Sequence, residues 1–193
     1  MQDAVKISLA KLPEQVIGYA PTMAARAVAA MQQQLARDAH LPQMSYAGLL
    51  VKLGASDLAR GFVAHLSDTL RGKSAAQPQP AFAASTISRM SLELQATDGP
   101  DLAMLALQAS SDRFKALNIR AKSLGLREFR VYGKDLFLAA LREGFVMARI
   151  DDSNVALLRP YACGALNAEL VALYERFDVL LDKIQQARAS GPQ

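Results

Sequence analysis

Between Arg113 and Lys134 the chain carries Arg113, Lys115, Arg120, Lys122, Arg127, Arg130 and Lys134 against one carboxylate, Glu128. Guanidinium and ammonium groups at this density neutralise phosphates or carboxylates, and such binding weakens as salt rises. Arg127 and Arg130 flank Phe129, a combination able to hold a phosphate and to stack a base on the ring. Arg and Lys are also ordinary residues of a solvated helix face, and no recognised nucleic-acid motif surrounds them. No glycine run has the GxxxxGK form of a phosphate loop. The segment therefore supports two readings, a face for a protein partner and a site for nucleic acid or an anionic nucleotide.

Other chemistry-bearing residues fall short of a constellation. His40 and His65 are too far apart to ligate one metal from a single helix turn. His65 lies close to Ser67 and Asp68, but near neighbours on a helix diverge, and a nucleophile needs its base within hydrogen-bond reach and an oxyanion site besides. Cys163, in Tyr161-Ala162-Cys163-Gly164, falls on the apolar side of its helix with Arg159 the near cation in sequence, so a small buried hydrophobe is expected. As the sole cysteine it excludes an intramolecular disulfide and a four-cysteine zinc site, and a reducing compartment fits best. Asp151 and Asp152 stand where a helix cap is expected rather than a cation site. No catalytic set, metal or cofactor is predicted. An enzyme would need a polar cluster buried among apolar side chains, which the linear sequence does not disclose.

The elements that must position these residues read as helices. Hydrophobic residues make up 51% of the 193, much of it alanine, while aromatics are 6% and tryptophan is absent, which favours closely packed helices over β-strands. A chain of this length buries roughly 70% of its unfolded surface and folds as one domain. We expect an all-α bundle of about seven helices in a single domain, 1–193, with a long C-terminal helix. Along Asn154 to Arg188, Val155, Leu158, Ala162, Ala165, Leu166, Leu170, Leu173, Phe177, Leu180, Leu181 and Ile184 recur at helical spacing, with Pro160 expected to bend the start.

Upstream, Val5 to Leu12 fits a short helix or an extended arm, and Pro13 and Pro21 divide the next run. From Pro21 a helix presents Met23, Ala27, Ala30, Met31 and Leu35 and stops at Pro42. Ser45 and Ser56 are candidate caps for helices ending at Gly54 and Gly72. The small, polar, proline-bearing stretch 72–85 reads as a flexible loop or linker, and Ile87 to Leu94 fits helix or strand. One long helix is expected from Pro100 to Leu124, then a link through Phe129 and Tyr132, then a helix from Leu136 to Ile150. Asp151, Asp152, Ser153 and Asn154 can cap the last helix, and no internal repeat is evident.

Several stretches resemble a bacterial family catalogued as domain of unknown function 1631. They are Leu35-Ala36-Arg37-Asp38-Ala39 with Tyr46, Leu53, Phe62 and Leu66; the run from Arg113 to Leu124; and the Leu170, Leu173, Tyr174, Phe177, Leu180 and Leu181 set. The similarity extends over about 35–181 and implies helices, with no established chemistry and no functional residues to transfer.

The net charge is +4 and the isoelectric point about 9.3, a mild excess that permits anionic partners without requiring them. No leader-like start and no apolar run of membrane-spanning length is present, so a cytoplasmic protein is expected. The predicted function is that of a non-catalytic, adaptor-like helical protein with a protein partner, and a homodimer is one way to cover apolar helix faces. The alternative is a nucleic-acid or nucleotide binder using the basic segment.

Overall fold

The structure, a computed structural model, describes residues 2–38, 45–54, 56–72 and 102–189. Among them are seven α-helices, one 3-10 segment and no strand. The helices are α1 (Gln2–Asp38), α2 (Ser45–Gly54), α3 (Asp57–Leu70), α4 (Leu102–Ala106), α5 (Gln108–Ser123), α6 (Lys134–Met147) and α7 (Asp152–Ala189), with the 3-10 segment Arg127–Tyr132 between α5 and α6. The predicted all-α bundle with a long last helix is what forms. Residues 73–85 of the expected linker, and the ambiguous stretch 87–94, lie outside the described residues.

Pro13 and Pro21 do not divide the chain: α1 is continuous through both. Each proline removes one backbone hydrogen bond and costs about 3 kcal/mol in an ordinary helix interior. The apolar face crosses them without a change of phase, through Leu12, Val16, Ala20, Met23, Ala27, Met31 and Leu35, all at most 2% exposed. Burial of seven such side chains against the rest of the bundle outweighs two lost bonds. Pro160 is likewise inside α7, which continues past it.

The expected helix from Pro100 to Leu124 is interrupted at Leu107, giving α4 and α5. The side-chain hydroxyls of Ser110 and Ser111 both donate to the Leu107 carbonyl, at 3.0 and 2.8 Å. The Ser110 backbone N–H donates instead to Asn167 Oδ1 at 2.9 Å, so a side chain of α7 caps α5. That partner is remote in sequence, which is why local pattern extends the helix too far. At the other end Gly125, with φ +73°, donates to the Lys122 carbonyl and Leu126 donates to the Ala121 carbonyl, both at 2.9 Å, closing α5 in a left-handed cap. The same pattern ends α6 at Met147, before the expected Ile150, with Arg149 at φ +52° in the glycine's place.

Two caps differ from expectation. Ser45 is the first residue of α2 rather than a residue preceding it. Ser56 precedes α3, but it adopts a left-handed conformation and its side chain makes no capping bond. Asp151 does cap α7: its Oδ1 accepts from the Asn154 backbone N–H at 3.0 Å and the Ser153 hydroxyl at 2.6 Å.

The helices contact in the order α6, α3, α1, α7, α5, with α2 on α1 and α4 on α7. Where α3 meets α6, backbone touches backbone. A Cβ at Gly61 would lie 2.8 Å from the Glu143 carbonyl oxygen, and one at Gly144 would lie 2.6 Å from that of Leu58. Both helices carry one local pattern here, Leu58-Ala59-Arg60-Gly61-Phe62-Val63 and Leu141-Arg142-Glu143-Gly144-Phe145-Val146. The match of leucine, glycine, phenylalanine and valine is legible in the sequence itself, whereas its meaning, two glycines at a backbone contact, is not. Cys163 is fully buried, as its place on the apolar face predicts.

Candidate functional site

The basic segment divides into a paired half and an unpaired half. On α5, Arg120 donates to Asp178 at 2.7 Å, to Asp182, and to Gln185 at 2.9 Å, all on α7. Arg113 faces Glu175 of α7 at 3.8 Å, and its buried Nε has no hydrogen-bond partner. Lys115 pairs with Asp112 one turn back at 3.1 Å. These three cations fasten α5 to α7 or serve their own helix, so much of the apparent excess is neutralised within the fold.

Phe129 is 3% exposed and does not present a ring to a ligand. It lies parallel to Phe114, with centroids 5.9 Å apart, and edge-on to Phe177 at 5.6 Å and Tyr132 at 5.8 Å. Tyr174 joins the group and its hydroxyl donates to the Tyr132 carbonyl at 2.9 Å. Burial, with a smaller push from Glu128, raises the Tyr132 phenol to about 12. The pairing of Phe129 with its flanking arginines misleads in sequence because a 3-10 turn sends the ring inward and the arginines outward. The aromatic group thus anchors a short segment whose exterior is cationic.

Lys122, Arg127 and Arg130 are exposed and Lys134 half-buried. Their side chains make no ion pair or hydrogen bond with the described residues. They stand in the last turn of α5, on the 3-10 segment and at the start of α6. Ile119, 70% exposed, and Val131, 43% exposed, belong to the same stretch. Cations interleaved with exposed aliphatic side chains on a rigidly backed turn suit contact with an acidic, partly apolar surface.

A second polar group lies outside the basic segment and was not expected. Glu169 of α7 is 2% exposed, and its two carboxylate oxygens accept one from the Tyr19 hydroxyl and one from Arg26, both on α1. Beside it the Arg176 guanidinium lies over the Tyr19 ring, 4.5 Å from the centroid. The hydrogen bond to Glu169, then burial, raises the Tyr19 phenol. Gln15, Gly18, Tyr19, Leu173 and Arg176 border an open recess of about 380 Å³. The signal available in the sequence is phase: Glu169 sits three residues after Leu166 and four before Leu173, in the middle of the apolar stripe. Its partners on α1 leave no such trace.

The described residues hold no group of three or more His, Cys, Asp or Glu side chains placed to bind a metal. None of their helices is long and apolar enough to cross a membrane. Compared with known proteins, the chain matches no family model, no curated protein and no solved structure.

Proposed function

We propose that this is a non-catalytic, adaptor-like helical protein that docks an acidic protein partner through the end of α5 and the 3-10 segment. The observation that carries the reading is the contrast within one basic stretch: Arg113, Lys115 and Arg120 face carboxylates of this chain, whereas Lys122, Arg127, Arg130 and Lys134 face none among the described residues. Ile119 and Val131 add apolar area beside them. Phe129 is withdrawn into the core, which removes the ring a nucleic-acid reading would stack on and favours a protein partner. Among the described residues, the buried carboxylate of Glu169, which stands with Tyr19 and Arg26, has both oxygens engaged. A cytoplasmic setting and membership in the resembling helical family are parts of this proposal, and neither adds a residue to the site.

The test is affinity capture from the native host with the wild type and a Lys122→Glu, Arg127→Glu, Arg130→Glu triple variant, at low and high salt, identifying both protein and nucleic acid. The expected result is a defined acidic protein whose recovery falls about tenfold or more in the variant and as salt rises. Nucleic acid lost in the same way would replace the protein reading with the phosphate one. Equal recovery by wild type and variant would make the segment a solvated surface.

A further inference from the structure

We infer that the recess between α1 and α7 is a site for a small oxyanion-bearing molecule, a carboxylate or a phosphate monoester, held by Arg176. None of the residues that form it belongs to Arg113 to Lys134, so the recess is independent of the basic segment.

Three observations converge. First, Arg176 is held in place without being neutralised. Its guanidinium lies over the Tyr19 ring, and it makes no ion pair with the described residues. Lying over a ring uses none of a guanidinium's hydrogen-bond capacity on a strong acceptor, so its N–H groups remain able to receive a carboxylate or phosphate. Second, the carboxylate that holds the Tyr19 hydroxyl is already engaged. One oxygen of Glu169 accepts from the Tyr19 hydroxyl and the other from Arg26, so the carboxylate fixes the ring on which Arg176 rests. Arg26 itself remains 64% exposed. Third, there is room. The recess of about 380 Å³ lies at the small end of ligand-site volumes, and at Gly18 an added Cβ would meet nothing within 4 Å. Gln15 borders the same space with an amide that can donate a further bond, and Leu173 offers an apolar edge.

The chemistry this arrangement selects is one anionic head against Arg176 and Gln15, with a compact body lying over Gly18. The positive charge borne by Arg176 disfavours cationic ligands and gives anionic ones an advantage over neutral ones. An open recess of this size gives weak binding, on the order of millimolar for a fragment-sized probe.

The experiment is titration of the isotopically labelled full chain with phenyl phosphate, inorganic phosphate and sodium benzoate, read by amide and arginine side-chain NMR shifts. Wild type is compared with Arg176→Met, which keeps the stem over Tyr19, with Gly18→Leu, which fills the recess and suits a helix better than glycine, and with Arg188→Met as a control. Saturable shifts at Arg176, Gln15 and Gly18 with at least one probe, reduced about tenfold or more in Arg176→Met and in Gly18→Leu but kept in Arg188→Met, support the site. Phenyl phosphate above inorganic phosphate assigns it to an organic phosphate, equal affinities assign it to free phosphate, and benzoate alone assigns it to carboxylates. Shifts that stay unsaturated, are spread evenly over the arginines, or survive in Arg176→Met overturn it.

Discussion

Two helix pairs in this bundle solve opposite problems. At the α3–α6 crossing, Gly61 and Gly144 let the backbones touch, and the flanking Leu58, Phe62, Leu141 and Phe145 are all buried. At the α1–α7 seam the helices are longer, a charged residue sits in mid-stripe, and Glu169 is buried with partners from one side only. The first interface is specified by what is missing, a Cβ, and has no tolerance for volume. The second is specified by hydrogen bonds at its edge, where Arg26 remains largely in solvent, and has tolerance for rearrangement. An interface of the first kind stabilises; an interface of the second kind sets register and leaves polar groups at a rim where a ligand can reach them.

The sharpest way to break this contrast is at Gly144. In an ordinary helix interior Gly→Ala is stabilising by about 1 kcal/mol. Here the new methyl would meet the Leu58 carbonyl oxygen at 2.6 Å, and that oxygen belongs to a helix that cannot move without dragging its neighbours. Gly144→Ala is expected to destabilise by about 2–3 kcal/mol net. Gly61→Ala, facing the Glu143 carbonyl at 2.8 Å, should act in the same direction with a slightly smaller effect. Denaturant unfolding measures both, and a gain of stability at either glycine would show that the two backbones are not in contact. The double variant should cost less than the two added, because both relieve the same clash by the same shift.

At the seam, truncation and replacement should differ. Glu169→Ala removes the acceptor for Tyr19 and Arg26 and leaves a void under them; since both donors reach solvent, the expected cost is about 1–3 kcal/mol rather than that of a fully buried pair. Glu169→Leu fills the stripe between Leu166 and Leu173 and is expected to lie within about 1 kcal/mol of wild type. Thermal and denaturant unfolding of the two variants decide the point. If Leu costs as much as Ala, the carboxylate contributes stability in its own right and the seam is not the tolerant interface.

The smaller contrast between two helix ends offers a stabilising change. Gly125 and Arg149 occupy equivalent left-handed positions after α5 and α6, and each cap is closed by the same pair of backbone bonds. Arginine at φ +52° carries steric strain of about 1 kcal/mol that glycine avoids. Lys52 donates to the Arg149 carbonyl at 2.8 Å, a bond that does not depend on the arginine side chain. Arg149→Gly should therefore raise stability by about 0.5 kcal/mol after allowance for the freer unfolded chain. A loss measured in denaturant would show that the arginine side chain makes a compensating contact.

These cases also explain what the sequence could disclose. The all-α class, the long last helix and its buried face were legible because Leu158, Leu166, Leu173 and Ile184 repeat with a period the chain itself carries. Cys163 was legible for the same reason. Features imposed from elsewhere were not: Asn167 reaching the Ser110 N–H caps a new helix, α5, where local pattern continues the old one, and the face of α1 carries the helix through Pro13 and Pro21 where local rules stop it. The basic segment was visible as a run of charges, but which of them are neutralised depends on Asp178, Asp182 and Glu175, remote in sequence. Phe129 looked available because its neighbours are charged, and it is buried because a tight turn alternates inward and outward. The Arg176 recess needed α1 and α7 to be laid side by side.

The least disruptive prediction concerns the start of α7, where local chemistry alone makes the cap. The Ser153 hydroxyl, then the Asn154 backbone N–H and side-chain amide, donate to Asp151 and lower its carboxyl to about 2. A folded-state value below the unfolded one means that Asp151 contributes stability above about pH 4, and that the contribution is lost as pH falls from there toward about 2. Asp151→Asn keeps an oxygen able to accept from the Asn154 N–H but has no proton to gain in that range. Its melting temperature should sit slightly below wild type near neutrality and fall less steeply between about pH 4 and pH 2. Melting curves at half-unit pH steps read the difference in slope. Parallel curves would mean that the cap carries no net charge dependence, and that the hold on α7 comes from its buried stripe alone.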